Sequence, residues 1–293
     1  MTSERRQLIR RLFLSTSGFL GFSLLAFFCI VALCAPWLAP PPAGRDPYLM
    51  PVVEWSPNPQ PPSSEYIFGV AGKRNIYYGV IWGTRSAFRV GITVTVISTM
   101  FGLLVGAVGG YFGKIVDEVL MRITDIFLAI PFLVAAVVMA TILGPGLDNV
   151  IRALIFFSWM FPARLIRGNI LQIKEEQYIT AARSVGVNHV GIIVRHVLPN
   201  SIFPVLIQAS MRMGSLVITA AALSFLGIGA RENYADWGGL LNYARNWMLG
   251  GGGEVLRYWY MVVFPGAAMV LFVLAWNLVG DALRDVFDPR LKV

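Results

Sequence analysis

The sequence predicts an all-α integral membrane protein with six transmembrane helices and both termini in the cytoplasm. Hydrophobic residues make up 56% of the 293-residue chain and charged residues only 14%, far more apolar than a soluble domain. Long apolar runs alternate with polar segments along the whole chain. The formal net charge of +8 follows the ends of these runs, which indicates membrane topology and not nucleic-acid binding.

The first predicted span covers residues 18–38, which carry no charge, and about 20 apolar residues suffice to cross a bilayer. Four arginines precede it: Arg5, Arg6, Arg10 and Arg11. A signal peptide also begins with basic residues, but its apolar core is usually about 7–15 residues long, so we favour an uncleaved span. Cys29 and Cys34 lie in this span, where we expect small apolar packing residues and not a disulfide or metal pair.

Residues 39–85 are predicted to form an outer loop that is rich in proline. The prolines are Pro40, Pro41, Pro42, Pro47, Pro51, Pro57, Pro59, Pro61 and Pro62. We expect this loop to run over the outer face as extended segments without regular structure.

Span two is predicted at residues 87–111 and span three at residues 119–143. Span two contains four closely spaced glycines that predict tight helix packing, namely Gly102, Gly106, Gly109 and Gly110. Pro131 should bend span three. Asp125 follows Arg122 by three residues, which favours a local ion pair; the alternative is that Asp125 lines the path or pairs with an arginine on another span.

The remaining spans are predicted at residues 149–167, 201–229 and 258–280. Arg212 falls within the fifth span, where a permanently charged guanidinium needs a partner, a watery cavity or a route to the inner surface. The loop 230–257 lies outside and holds Asp236, Trp237 and the glycines 250–253.

Lysine and arginine set the orientation. Fourteen of them lie on the proposed inner segments, seven on the outer segments and three within spans. Because such residues concentrate on the cytoplasmic side, the excess places both termini inside.

Residues 175–200, which we call the bracket, are too charged to lie in hydrocarbon and therefore project into the cytoplasm. Helical spacing predicts a first short helix with an apolar face of Tyr178, Ala181, Ala182 and Val185, stopped by Gly186. Asn188 is placed to cap a second helix, whose apolar face is Val190, Ile193, Val194 and Val197 and which Pro199 should end. Such a face needs a neighbour, which could be another protein.

The bracket resembles the "EAA" loop of ABC-importer permease subunits. The resemblance is carried by Ala181-Ala182, Gly186 and Leu198-Pro199. The sequence AARSVGVNHVGIIVRHVLPN, residues 181–200, is most similar to the dipeptide/oligopeptide/nickel family. Thr180 stands where the motif has glutamate, and His196 where it has a hydrophobic residue. Further segments similar to this family occur in the same order between residues 85 and 290, and they include LSFLGIG at 223–229 and GDALRDVFDPRL at 280–291. The chain is therefore identified as a member of this family.

The resemblance implies the ABC type I importer permease fold and a place in the cytoplasmic (inner) membrane as a multi-pass subunit that translocates peptides or similar small solutes. It implies an N-terminal segment, 1–84, with the first span and the extracytoplasmic loop, and a five-helix permease core, 85–293, with a coupling loop at 172–200. It further implies a second homologous permease, two ABC ATPase subunits and an extracytoplasmic substrate-binding protein as partners.

Two sets of candidate residues follow, the first from the resemblance and the second from polar and charged side chains within the spans. The set expected to couple to the ATPase is Glu176, Tyr178, Thr180, Ala181, Ala182, Arg183 and Gly186. The set expected on the translocation path is Asp125, Arg212, Ser215, Thr219 and Ser224.

The chain lacks the motifs of an energy-converting enzyme. Gly72-Lys73 is the nearest match to a phosphate-binding loop, but Arg74 follows it and Ile67 stands where the first glycine is needed. We therefore expect ATP and Mg on the partner ATPases, no cofactor on this chain and no catalytic or metal-binding residue; His189 and His196 have no third ligand nearby. The alternative function is a stand-alone secondary transporter or channel, for which paired broken spans would be expected.

Overall fold

Helices form nearly all the regular structure in the computed structural model, which describes residues 13, 15–53, 58–250 and 255–287. The helices are α1 (Thr16–Leu38), α2 (Ile76–Phe112), α3 (Lys114–Ala129), α4 (Phe132–Leu143), α5 (Leu147–Ser158), α6 (Met160–Ile173), α7 (Gln177–Ser184), α8 (His189–Ile192), α9 (Leu198–Phe225), α10 (Trp237–Gly250) and α11 (Tyr260–Phe287). A π-helix (Ile193–Val197) joins α8 to α9, a 3-10 turn (Val255–Tyr258) precedes α11, and β1 (Val70–Ala71) pairs antiparallel with β2 (Arg74–Asn75).

Five stretches of the described chain are long and apolar enough to cross a membrane, and counting the bent pair α3 and α4 as one span gives six. The predicted all-α fold with six spans is therefore confirmed. The four N-terminal arginines, Pro57, the glycines 251–253 and residues 288–293 lie outside the described part of the chain.

The third span is broken at Pro131, where α3 and α4 meet at 86°. Proline has no backbone N–H, and it also disfavours the helical conformation of the residue before it. Ile130 is accordingly extended, with φ −85° and ψ 128°. The predicted bend is confirmed, and it is sharper than an ordinary proline kink.

The glycines of α2 let it pack closely against α6. A methyl group added at Gly106 would overlap the backbone oxygen of Ala163, and one at Gly102 would come within 2.6 Å of the Pro162 ring. Close packing, predicted from glycine spacing, is confirmed at these positions.

The second span begins earlier than predicted. Asn75 caps α2 by accepting a hydrogen bond from the Tyr78 N–H at 3.2 Å, so the predicted start at residue 87 is wrong. The division of the chain at 84/85 falls inside this helix and stays a prediction. Arg85, counted among the outer residues, donates from Nε to the Ala32 carbonyl at 2.6 Å, a contact between α2 and α1.

The proline-rich loop is tied to the outer ends of the helices. Leu49 bridges to Tyr234, and the Met50 N–H donates to the Asn233 carbonyl at 2.8 Å. Together with the pairing of β1 and β2, these contacts show that the prediction of a loop without regular structure is wrong.

The outer loop between spans five and six contains a helix, α10, which the sequence did not predict. The Trp237 side chain at its start is buried, and its indole N–H donates to the Val80 carbonyl at 3.1 Å. Asp236 accepts a hydrogen bond from the Gly239 N–H at 2.9 Å, and burial raises the pKa of this carboxyl group.

The second bracket helix does not end at Pro199. It continues through the π-helix into α9, so the predicted stop is wrong. Pro199 lies within the first two positions of α9. A π turn precedes it, and the missing N–H of proline is tolerated at the first positions of a helix segment.

Candidate functional site

The first bracket helix, α7, ends in a turn that requires Gly186. This residue has φ +83°, in the left-handed region that glycine adopts without strain. The Gly186 N–H donates to the Arg183 carbonyl at 3.0 Å and the Val187 N–H to the Ala182 carbonyl at 3.1 Å, the pattern of a Schellman motif. Asn188 then caps α8 by accepting from the Gly191 N–H at 2.7 Å. Both predictions about the turn are confirmed.

One side of α7 is anchored to the rest of the chain. Ile179 is fully buried and Ala182 nearly so, in a cluster that includes Ile166 and Ile170 of α6 and Ile192 of α8. Of the predicted apolar face, Ala182 packs against this chain while Tyr178, Ala181 and Val185 stay exposed; the sequence analysis did not select Ile179. Ile179 is the only large aliphatic residue of α7, which is the signal that could have identified it.

Beside this buried face, α7 and the residue that follows it present an exposed apolar strip, which we define as Tyr178, Ala181 and Val185. Tyr178 is 42% exposed and Val185 79% exposed, and Ala181 is exposed between them. Glu176, Thr180, Arg183 and Gly186 are also exposed, so every residue of the coupling set except Ala182 is accessible to a partner.

The bracket is connected to the inner end of α2. The Tyr111 hydroxyl group and His189 Nδ1 are 2.8 Å apart in a hydrogen bond, and the Arg183 guanidinium lies 5.9 Å from the centre of the Tyr111 ring. Lys174 Nζ donates to the Gly110 carbonyl at 3.4 Å. The sequence analysis considered His189 as a metal ligand, a role that it did not expect, and it did not select Tyr111.

Ion pairs join α3 to α6 beside the bracket. Arg167 binds Asp117 with two contacts, at 2.6 Å from Nε and 2.5 Å from Nη2. Asp125 pairs with Arg164, whereas Arg122 lies 3.8 Å from Glu118. The predicted ion pair between Arg122 and Asp125 is therefore wrong. The alternative prediction, a pair with an arginine on another span, is confirmed, because Asp125 points across to α6 and not along its own helix.

Arg212 lies in α9 without a carboxylate partner among the described residues. Its guanidinium carbon is 4.1 Å from the centre of the Phe161 ring, and its buried Nη1 has no hydrogen-bond partner in that part of the chain. Gln208 and Ser98 line a small cavity with it. A charge in this position needs polar neighbours, which this chain supplies only in part.

The other predicted path residues on α9 lie in two separate locations, one next to Arg212 and one at the outer end of the helix. Ser215 and Thr219 lie one and two turns beyond Arg212, and their hydroxyl groups donate to the Arg212 carbonyl at 3.0 Å and the Ser215 carbonyl at 2.9 Å. We call these three residues the polar row of α9. Ser224 is buried, and its Oγ accepts from the Ala230 N–H at 3.2 Å in the outer turn. Asp125 and Ser224 are therefore apart from the polar row.

Comparison with known proteins decides the family. Residues 98–293 match the family described as "Binding-protein-dependent transport system inner membrane component". The chain belongs to this family. It is therefore a multi-pass protein of the cytoplasmic membrane and a permease subunit of an ABC importer, a family in which ATPase and substrate-binding partners are implied.

Two curated permeases illustrate the relationship. The chain is 40% identical over 232 residues to the glutathione transport system permease protein GsiD of Pectobacterium atrosepticum, covering 79% of this chain and 75% of that protein. It is 32% identical over 292 residues to the dipeptide transport system permease protein DppC of Alkalihalophilus pseudofirmus, covering 99% and 91%.

A solved structure shows the same fold. The crystal structure of an amino acid ABC transporter with histidines superposes on this permease with a TM-score of 0.51 at 18% sequence identity. The match covers 69% of this chain and 91% of that chain.

Proposed function

We propose that this permease carries peptides or similar small solutes into the cytoplasm together with a second homologous permease, two ATPase subunits and an extracytoplasmic binding protein. ATP and Mg bind to the ATPases, and this chain carries no cofactor. The permeases that resemble it serve dipeptides and glutathione, which supports this solute class.

The observation that carries the proposal is the exposed apolar strip of α7 on a cytoplasmic bracket. Solvent-exposed tyrosine, alanine and valine side chains in one row fit a partner's apolar cleft. The buried side of the same helix is fixed to α6 through Ile179. The helix thus combines a surface for the ATPase, formed by the coupling set Glu176, Tyr178, Thr180, Ala181, Arg183 and Gly186, with an anchor to the spans formed by Ile179 and by Ala182 of the same set.

Two connections would carry motion from the bracket into the membrane. The Tyr111–His189 hydrogen bond connects it to α2. The second connection is the uninterrupted helix from α8 through the π-helix to α9, which holds the polar row. When the ATPases close on ATP, α7 moves with their cleft and these helices rock between inward- and outward-facing arrangements.

In this proposal the side chains of the polar row line the translocation path. Ser215 is exposed and Thr219 half-buried, and Arg212 supplies a positive charge within the span. We also keep Asp125 and Ser224 as path residues, although they lie apart from the row.

Transport in reconstituted vesicles tests the proposal. The permease, its paired permease, the ATPases and the binding protein are incorporated into proteoliposomes, and uptake of a labelled dipeptide is measured with ATP or with an ion gradient alone. Uptake that requires ATP and the binding protein supports the proposal. Uptake driven by the gradient without ATP would instead support the stand-alone transporter.

Gly186→Val should uncouple ATP hydrolysis from uptake. Valine in the left-handed conformation costs about 1–2 kcal/mol, which displaces the end of α7 although space surrounds the site. We expect uptake to fall about 5- to 30-fold while the complex assembles and hydrolyses ATP. Gly186→Asn is the control, because asparagine tolerates this conformation. Unchanged uptake in the valine variant would count against the coupling role.

Tyr111→Phe should weaken the connection between the bracket and α2. It removes the hydrogen bond to His189 but keeps the ring beside Arg183, and a single hydrogen bond contributes about 0.5–1.5 kcal/mol. We expect uptake to fall about two- to tenfold at unchanged assembly. Tyr77→Phe, at the other end of α2, should have no effect; equal uptake rates for both variants would exclude this connection.

A further inference from the structure

The outer face contains a recess of about 460 Å³ that none of the roles above uses. It is lined by the loop residues 46–49, the turn and first residues of α5 at 145–152, the loop residues 231–234 and Arg89 of α2. Its lining includes Arg89, Arg152, Arg231, Asp148, Tyr48 and Tyr234. The volume falls within the range of small-molecule pockets, about 300–1,000 Å³.

The recess has more positive than negative charge available to a ligand. Arg89 pairs with Asp148 at 2.7 Å. Arg152 binds only a neutral group in the described structure, the Asn149 side-chain oxygen at 3.1 Å, and Arg231 forms no ion pair with described residues. Asp46, also in the lining, accepts a hydrogen bond from the Tyr48 N–H at 2.9 Å.

Two aromatic residues also line the recess. Tyr48 and Tyr234 stack with ring centres 5.4 Å apart and an angle of 7°. An apolar wall beside planar guanidinium groups suits an organic anion, because guanidinium binds a carboxylate through two parallel hydrogen bonds.

We infer that the recess is a transit site for the carboxylate group of the incoming solute, bound by Arg152 and Arg231 and packed against the two tyrosines. This inference rests on the proposed function, because it assigns the site to the solute that the importer carries. The concave shape and a volume in the range of small-molecule pockets favour a small molecule over an acidic surface of the binding protein.

Protection from arginine modification tests the site without transport. The full permease–ATPase complex is treated with phenylglyoxal, and modification of each arginine is measured by mass spectrometry. L-alanyl-L-alanine should lower the modification of Arg152 and Arg231 severalfold, and its C-terminal amide should not. Arg45, on the same face but outside the lining, serves as the internal control.

Several outcomes would overturn the inference. They are equal modification with and without the dipeptide, equal protection by the amide or by chloride, and protection that appears only when the binding protein is added. The last would indicate a protein-docking surface.

Uptake measurements separate this inference from the proposed function. Arg152→Ala combined with Arg231→Ala should lower ATP-driven uptake about tenfold, whereas Arg45→Ala should not. Protection by the dipeptide without any ATP-driven uptake would contradict the proposed function alone. Full uptake in the double variant, without protection in the native chain, would contradict the transit site alone.

Discussion

Ala181→Arg is expected to abolish ATP-driven uptake while the membrane fold stays intact. Ala181 is exposed between Tyr178 and Val185, so the new side chain extends away from the rest of this chain. In the assembled transporter it would enter the ATPase cleft, where an unpaired charge costs several kcal/mol. Since about 1.4 kcal/mol is a factor of ten, uptake should fall more than about tenfold.

The measurement combines uptake in proteoliposomes with co-purification of the ATPase subunits. We expect the variant to reach the membrane at the native level and to retain less ATPase. Ala181→Ser is the matched control, because it changes size little and should support native uptake. Native uptake and ATPase retention in the arginine variant would show that this strip is not the docking surface.

Gly106→Ala is expected to have the largest effect on stability. The added methyl group would overlap the Ala163 carbonyl oxygen and the Ile166 side chain, so α2 and α6 must separate. Overpacking of this kind costs about 1–3 kcal/mol, and here a backbone atom is one of the obstacles. The midpoint of thermal unfolding of the purified complex in detergent should fall.

Gly168→Ala on α6 is the control for Gly106→Ala. No atom of the described structure lies within 4 Å of a methyl group added there, apart from its own helix backbone and chain neighbours. Alanine is favoured over glycine within a helix by about 0.5–1 kcal/mol, so this variant should unfold at the native temperature or above it. Equal destabilisation by both substitutions would contradict the packing account.

Patterns that depend on local physics were predictable from the sequence. Uninterrupted apolar runs predicted the spans, because backbone polar groups in lipid must be satisfied within the helix. The Gly186 stop, the Asn188 cap and the break at Pro131 follow from the backbone preferences of single residues.

Features set by tertiary contacts were not predictable. The early start of α2 and the helix α10 depend on burial of outer side chains such as Trp237, which polar neighbours in the sequence conceal. Asp125 has a suitable partner next to it in sequence but faces Arg164 in space. The helix passes Pro199 after a π turn, which residue spacing alone does not indicate.

The candidate site shows the same division. Charge and a glycine turn identified the bracket, but choosing its packing side required knowing that Ile179 meets α6. The Tyr111–His189 bond joins residues far apart in sequence and carries no local signature.

Cross-linking from Ala181→Cys tests the central claim most directly. The two native cysteines, Cys29 and Cys34, are first replaced by alanine, and the full transporter is treated with a short thiol cross-linker. We predict a covalent product with an ATPase subunit whose yield changes when ATP is bound. Labelling of this cysteine from outside the cell, or no ATPase product in an assembled and active transporter, would contradict the account.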